Sequence, residues 1–376
     1  FDQDPYIVMA GGRLYWIIDA YTTSENYPYS ENFSAGTFNV RPKAQSGELP
    51  RALNRRQMLG MNYLRNSVKA VVNAFSGEVN FYIFDPEDPL IRTWDSIFPE
   101  LFQARDRMPD FLERHVRYPD QMLQVQGLVY AKYHMTDPTV FYNQEDLWVR
   151  ATEKYHNRVQ PVQPYYIMWE QPETDNQEFV LIQPFTPKNR QVLIGWIAGM
   201  CDGDNYGRLL TYKFPKEKRI LGPQQVETKI DQDSYLSGQL TLWDQRGSNV
   251  IRGNVLAIPI EETLIYVEPI YLQAETAAYP ELRLVVLMHN DRLSYAETFD
   301  KALEQLLKAG RPSEEALPAI TPGTGNIDQL VQQANQAFEN YLRLQGEMNF
   351  EQASKELKKL HTSLQQLMQR TGESDE

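Results

Sequence analysis

The apolar residues of this chain occur mostly in runs of strand length, and these runs crowd together between residues 165 and 290. Val192–Ala198, Val255–Ile260 and Leu282–Met288 are examples, and turn-forming residues flank each of them. Runs of this length that are rich in β-branched and aromatic residues are typical of β-strands. We therefore predict that residues 165–290 form a mixed, mostly antiparallel sheet.

Helical spacing of apolar residues is found on both sides of this strand-rich region. Residues 54–75 have it, short patterns broken by prolines follow up to residue 153, and residues 226–240 and 295–308 have it again. The apolar face of the first segment consists of Met58, Met61, Leu64, Val68 and Val71. We expect an α+β fold in which helices from 54–153 and 226–240 pack on the sheet.

Near the start of the chain, Gly11-Gly12 separates two apolar runs and predicts a β-hairpin. Residues 19–38 are rich in Tyr, Ser, Asn and Pro, which predicts a loop. Val79–Phe84 has the length and composition of a strand. We take residues 1–310 as one main domain, helix-rich at 54–153 and strand-rich at 165–290.

The end of the chain has a different character. Residues 311–325 are rich in Gly, Pro, Ser and Ala and predict a linker. Residues 326–370 contain two amphipathic segments joined by a short turn, which predicts a C-terminal αα-hairpin. Its apolar face must be covered either by the main domain or by a partner protein, and the sequence leaves both open.

Composition restricts the classes of partner. The sequence has 376 residues, with 37 Lys and Arg against 50 Asp and Glu, a net charge of -13. An acidic surface repels phosphate backbones, so we expect no nucleic-acid partner. No segment approaches the roughly 20 apolar residues of a membrane helix. Because the chain begins with Phe1 rather than Met, we expect it to be a soluble piece of a longer protein.

The loop of Asp202, Asp204 and Asn205 is the best local candidate for a binding site. It offers oxygen ligands at alternate positions and a glycine at the sixth, like the start of a calcium-binding loop. Lys213 stands where the twelfth-position glutamate should be, so we predict a structural turn rather than a tight calcium site. A looser metal site is the alternative.

Glu268 is the second candidate, because a carboxylate between apolar strand residues needs a partner. We expect an ion pair with Arg252 rather than a general acid. Asp231 and Asp233, two residues apart on a helix, should point in different directions. Cys201 lies beside Asp202, which should raise the pKa of its thiol and disfavour a nucleophile. We predict no catalytic residue, no cofactor and no metal site.

A set of segments spread over most of residues 4–310 is distinctive in its order. The segments are Asp4-Pro5-Tyr6, Leu14–Thr22, Asn62–Lys69, Pro184-Phe185-Thr186-Pro187, Asp202–Gly207 and the long segment Gly222–Ala274. In this order they resemble the UPF0182 family of uncharacterised bacterial membrane proteins. The resemblance implies a parent with N-terminal membrane helices and this chain as its large extracytoplasmic, periplasmic part. Glutamine-rich helices would suit a cyanobacterial source.

The resemblance supplies no reaction, ligand or catalytic residue. Our leading hypothesis is a non-catalytic extracytoplasmic binding or assembly domain of a multi-pass membrane protein. Its expected partners are the parent's own membrane helices and either a second copy or an envelope protein. The alternatives are an envelope enzyme, metal-assisted through the Asp202–Asp204 turn, and a substrate-facing domain of a transporter. A pocket lined by carboxylates would favour the enzyme.

Overall fold

The protein is described by a computed structural model. The structure describes residues 1–33, 60–155, 158–170, 177–215, 217–244, 248–260, 263–274 and 279–308, together with Asn340. The chain divides into two compact units, Phe1–Lys308 and Ala309–Glu376. The predicted linker and αα-hairpin lie outside the described residues, and the account below concerns the first unit.

The first sheet is built from the N-terminal part of the chain. Its strands, in spatial order, are β1 (Tyr6–Ala10), β2 (Arg13–Ser24), β3 (Tyr63–Asn73), β4 (Val79–Ile83) and β5 (Phe102–Ala104). All neighbours are antiparallel except β4 and β5. Gly11 and Gly12 join β1 to β2 with φ of 56° and 74°, the paired positive values that a tight hairpin turn requires. The predicted hairpin is therefore confirmed.

Two sequence predictions fail in this sheet. The predicted helix over residues 54–75 is wrong where the structure describes it, because Tyr63–Asn73 is strand β3. Five consecutive residues from Ser67 to Val71 are buried, so both faces of β3 are covered and the alternation that marks a strand is hidden. The loop predicted over 19–38 is also wrong at its start, since β2 continues to Ser24 along β3.

Four short helices follow strand β4, as the sequence predicts for residues 90–153. They are α1 (Pro89–Ile97), α2 (Asp110–Glu113), α3 (Asp120–Tyr133) and α4 (Pro138–Asn143). Pro109 and Pro119 precede α2 and α3, and Pro138 opens α4. A proline is tolerated at the start of a helix because its missing N–H has no partner there. The predicted helix-rich region 54–153 is not wholly helical, since it also contains β3 to β5 and the start of the next sheet.

The second sheet is centred on one long strand. It contains β6 (Trp148–Arg150), β9 (Tyr165–Glu170), β10 (Gln177–Pro187), β12 (Gly195–Met200) and β13 (Leu209–Lys213). The strand β10 pairs with β12 along one edge and with β6 and β9 along the other, all antiparallel. Two small ribbons lie beside it, β7 (Thr152–Tyr155) with β8 (Arg158–Pro161) and β11 (Val192–Leu193) with β14 (Ile220–Leu221).

The third sheet carries the candidate site described below. It contains β15 (Ser248–Arg252), β16 (Leu256–Ile260), β17 (Thr263–Ala274), β18 (Glu281–His289) and β19 (Arg292–Ala296). β17 is central and pairs with β15 and β16 on one edge and with β18 on the other. The α+β class is confirmed, but strands 165–290 belong to separate sheets rather than to one.

Two helices, α5 (Pro223–Gln232) and α6 (Ser234–Trp243), replace the single helix predicted for residues 226–240. The break is at Asp233, whose carboxylate accepts the backbone N–H groups of Tyr235 and Leu236 and so caps α6. The helix predicted for residues 295–308 is shorter, since α7 is Phe299–Lys308 and residue 295 lies in β19.

Helices α5 and α6 share a core with the third sheet. Its buried residues include Val226, Ile230, Leu236, Val255, Tyr266, Ile270 and Val286. This packing places the polar face of α5 next to strands β7 and β15. In the described part of the chain, no helix combines the length and apolar composition needed to cross a lipid bilayer.

Candidate functional site

The loop of Asp202, Asp204 and Asn205 is a short 3-10 turn between β12 and β13. The Asp202 carboxylate accepts the backbone N–H of Phe179 at 2.6 Å, and the Asn205 amide donates to Glu178 Oε1 at 2.6 Å. Both partners lie in β10, so these two side chains fasten the turn to the neighbouring strand. Asp204 is exposed. The loop is a turn, as predicted, and its polar side chains hold it in place.

No group of three or more His, Cys, Asp or Glu side chains in the described ranges is arranged to hold a metal ion. That calcium does not bind tightly at the Asp202 turn stays a prediction, which rests on Lys213. Glu268 lies in the third sheet, whereas the turn belongs to the second. The structure therefore does not bring the sequence candidates together.

Glu268 is buried in β17 and pairs with Arg252 of β15, as the sequence predicts. Arg252 Nη2 donates to Glu268 Oε2 at 2.8 Å, and Arg252 Nε donates to the other carboxylate oxygen. Such a bidentate pair is the strongest geometry open to arginine and a carboxylate. Burial raises the pKa of Glu268, and the guanidinium of Arg252 opposes that rise.

Arg252 also binds Asp231 of α5 through Nη1. The second oxygen of Asp231 accepts a hydrogen bond from the Lys154 ammonium, and the distance to Nζ is 2.9 Å. The four side chains form a line of alternating charge, Lys154–Asp231–Arg252–Glu268, that joins β7, α5, β15 and β17. Asp233 takes no part in it, because it caps α6. The prediction that Asp231 and Asp233 act separately is confirmed.

Two further glutamates lie behind this line of charges. Glu227 of α5 is fully buried, and both its oxygens accept the backbone N–H of Lys154, at 2.8 and 2.6 Å. Glu153 is fully buried as well and accepts Gln160 Nε2 at 3.1 Å and the backbone N–H of Val255 at 3.2 Å. All of these hydrogen-bond donors are uncharged groups.

The protonation of these two glutamates follows from their burial. Burial raises the pKa of Glu227 to about 8 and the pKa of Glu153 to about 7, against an ordinary value of 4.5. Hydrogen bonds from backbone N–H groups partly oppose the rise, while the negative charge of Glu268 adds to it in both cases. Near neutral pH, Glu227 is therefore mainly protonated and uncharged.

A pocket of about 570 Å³ opens over the line of charges, between helix α6 and strand β15. Its lining is polar with a short apolar strip. The charged lining residues are Lys154, Asp231, Asp244 and Arg252, the uncharged polar ones are Thr241, Asn249 and Gln273, and the apolar ones are Leu240, Val250 and Ile251. The volume is that of a small-molecule site, and the lining is more polar than is usual for such sites.

Most of this site could not be predicted from the sequence. Among the pocket-lining residues, only Arg252 and Asp231 stand out in the sequence, each for another reason, and Lys154 and Asp244 carry no distinguishing motif. A signal did exist for Glu227, because it lies on α5 between Val226 and Ile230, both of which are buried. A charged residue within the apolar stripe of a helix indicates a buried polar contact.

Cys201 is buried, and Tyr118 donates its backbone N–H to the Sγ atom at 3.2 Å. Burial raises the pKa of the thiol to about 11, with a smaller contribution from Asp202. The predicted direction is confirmed, but burial rather than the neighbouring carboxylate is the main cause. A thiol with a raised pKa carries little of the nucleophilic thiolate at neutral pH.

A separate buried ion pair joins Lys69 of β3 to Asp19 of β2 in the first sheet. Asn66 donates to the same carboxylate at 3.0 Å, and the ammonium lies over the ring of Tyr206 at 5.0 Å from its centre. Lys69 and Asp19 neutralise each other within the core, and none of these four residues lines the pocket.

Comparison with known proteins identifies a family that matches this chain. A family model described as an uncharacterised protein family, UPF0182, matches residues 1–243. A UPF0182 protein of Pelotomaculum thermopropionicum is 41% identical over 99% of this chain and 39% of its own length. The UPF0182 protein of Trichodesmium erythraeum is 42% identical over 99% of this chain and 40% of its own length. The UPF0182 protein of Methanospirillum hungatei is 43% identical over 90% of this chain and 37% of its own length.

The chain thus spans about two fifths of the length of these relatives. They come from diverse bacteria and an archaeon, so the comparisons do not indicate a cyanobacterial source. No solved structure matches the chain. The family match covers well over half of the chain, including helices α5 and α6 of the pocket. The chain belongs to the uncharacterised protein family UPF0182.

Proposed function

We propose that this chain is a non-catalytic extracytoplasmic domain that binds a polar small molecule in the pocket between α6 and β15. The observation that carries the proposal is the pocket itself, about 570 Å³ in volume, with polar walls above a floor of paired charges. These half-buried salt bridges hold the floor in one geometry, which reduces the entropy lost when a ligand binds.

Binding is better supported than catalysis because the ionisable groups of the pocket already have partners. Asp231 is bound by two cations, and Arg252 is bound by two carboxylates. Asp244 accepts the backbone N–H of Val250 at 3.0 Å. A general base must reach the proton it removes and must be free to accept it. If the protein were an envelope enzyme, these groups would have to break the salt bridges and the hydrogen bond that position the pocket.

The raised pKa values of Glu227 and Glu153 are the observation that favours an enzyme, since general acids often have such values. Both carboxyl groups are fully buried and hydrogen-bonded to other protein groups, and neither lines the pocket. We therefore assign them a structural role. A substrate-facing domain of a transporter would use the same pocket for the same binding step, so it is a special case of this proposal.

The extracytoplasmic location and the parent's membrane helices belong to the proposal through the family resemblance. The relatives are more than twice as long as the matched region, which leaves room in a longer protein for membrane helices. Fractionation of cells that express the tagged full-length parent tests this part. A tag on this region that a protease reaches from outside the cytoplasmic membrane would support it, and protection from the protease would contradict it.

Ligand binding is tested with a bulky substitution that fills the pocket. Thr241→Trp places an indole in the pocket without changing a charged residue. Thr228→Trp is the matched control, because Thr228 and Thr241 are both exposed helical residues that donate to the carbonyl four residues earlier at 2.8 Å. Thermal shift with a panel of sugars, amino acids and organic acids should show stabilisation that Thr241→Trp loses and Thr228→Trp keeps.

A further inference from the structure

We infer that the ligand of this pocket is an uncharged polyhydroxylated molecule, such as a sugar of one or two rings. The inference rests on the proposed function, since it names the ligand class of the same pocket. Three properties of the lining carry it: its charge balance, its mixture of donors and acceptors, and its apolar strip.

Among the lining residues that the structure describes, the two cations Lys154 and Arg252 are matched by the two carboxylates Asp231 and Asp244. Glu268 lies outside the lining and binds Arg252 from behind. An anionic ligand that approached Arg252 would meet the carboxylates of Asp231 and Glu268, and a cationic ligand that approached Asp231 would meet Lys154 and Arg252. Like charges in close contact disfavour the wrong partner. The paired floor therefore selects against both kinds of ion.

The uncharged polar residues supply both donors and acceptors. Asn249 faces Gln273 across strands β15 and β17, and its amide carries an oxygen and two N–H groups. The hydroxyl of Thr241 donates its hydrogen to the carbonyl of Ser237, so the Thr241 oxygen acts as an acceptor towards the pocket. A hydroxyl group both donates and accepts. Neighbouring hydroxyls of a sugar match this mixture better than a carboxylate or an ammonium does.

Leu240, Val250 and Ile251 add an apolar strip beside the polar groups. A sugar ring has polar edges and faces of C–H groups, so it can contact both parts of the lining at once. The volume of about 570 Å³ lies within the range of roughly 300–1,000 Å³ that small-molecule sites have. Size and surface character thus agree with the charge argument.

Saturation-transfer NMR on the full chain tests the ligand class. The probes are trehalose and N-acetylglucosamine as neutral sugars, glycine betaine as a zwitterion, citrate as an anion and spermidine as a cation. We expect signal from at least one sugar, loss of that signal in Thr241→Trp, and retention in Thr228→Trp.

The outcomes separate this inference from the function on which it rests. Binding of citrate, betaine or spermidine at the pocket, with no sugar signal, would overturn the ligand class and leave the binding function standing. Sugar signal that is unchanged in Thr241→Trp would place the binding elsewhere and overturn the inference. Absence of signal from every probe would count against the ligand class and the binding function together.

Discussion

Glu227 and Lys154 are joined through the main chain, since both oxygens of the buried Glu227 carboxylate accept the backbone N–H of Lys154. The side chain of Lys154 then returns to Asp231, one turn further along the same helix. Helix α5 is therefore clamped to strand β7 at two successive turns. Because Asp231 also binds Arg252, the clamp sets the position of the pocket floor relative to β15.

The clamp should make stability depend on pH. The pKa of Glu227 rises to about 8 in the folded protein, so the folded state holds a proton that the unfolded state releases above its ordinary pKa of 4.5. Stability should therefore fall as pH rises from about 5 to about 8. Glu227→Gln keeps an acceptor for Lys154 and should raise the free energy of unfolding by about 1–3 kcal/mol near pH 8, with little effect near pH 5.

Chemical denaturation at a series of pH values measures this effect. Glu281→Gln is the control, because Glu281 is exposed on β18. An equal gain in both variants, or a gain in Glu227→Gln that does not grow with pH, would show that burial of the Glu227 carboxyl is not the cause.

Loss of the Arg252 side chain should destabilise the protein mainly because a buried carboxylate is left without its cation. Arg252→Met leaves Glu268 buried without a cation and should cost about 3–5 kcal/mol of the free energy of unfolding. The double variant Arg252→Met with Glu268→Leu removes the stranded charge as well, so it should recover about half of that loss or more. Denaturant unfolding of the two variants measures the difference. A double variant no more stable than Arg252→Met would contradict the assignment of Glu268 as an ion-pair partner.

Asp88 should contribute more than an ordinary helix cap. Its buried carboxylate accepts the backbone N–H of Leu90 in α1 and the hydroxyls of Thr22, Tyr63 and Ser67. Asp88→Ala should therefore cost about 2–4 kcal/mol, the cap plus the hydroxyls left without a partner. The matched control is Asp137→Ala in α4, an exposed cap that should cost only about 1 kcal/mol. Equal losses in the two variants would show that the buried hydroxyl contacts add nothing.

Two glycine-to-alanine changes should have opposite signs. In Gly199→Ala of β12, the new Cβ would lie 2.5 Å from the ring of Tyr118, so we expect a loss of about 1–3 kcal/mol. In Gly238→Ala, within the exposed face of α6, the new Cβ has no atom within 4 Å, and helix propensity should add about 0.5–1 kcal/mol. Thermal unfolding of both variants checks the signs. A destabilised Gly238→Ala would show that α6 is held in a conformation that alanine disfavours.

Interactions between neighbours in the chain were predictable. The Gly11-Gly12 hairpin and the helices that begin at prolines follow from local backbone preferences, and these need no distant partner. The pair of Glu268 and Arg252 could also be predicted, because the two residues are only 16 apart and a carboxylate within an apolar strand requires a cation. Strand β3 was not predictable, since its spacing suits a helix and its pairing with β2 and β4 decides otherwise.

The sequence by itself determined the α+β class, the strand-rich half of the chain, the family and the need for a partner at Glu268. Only the tertiary structure decided the pocket, because its residues come from separate elements. Lys154 lies 77 residues from Asp231, and its backbone lies 73 residues from Glu227. Contacts at such separations depend on how α5 packs between β7 and β15. That packing is set by the buried apolar face of the helix, which the local sequence around Lys154 does not contain.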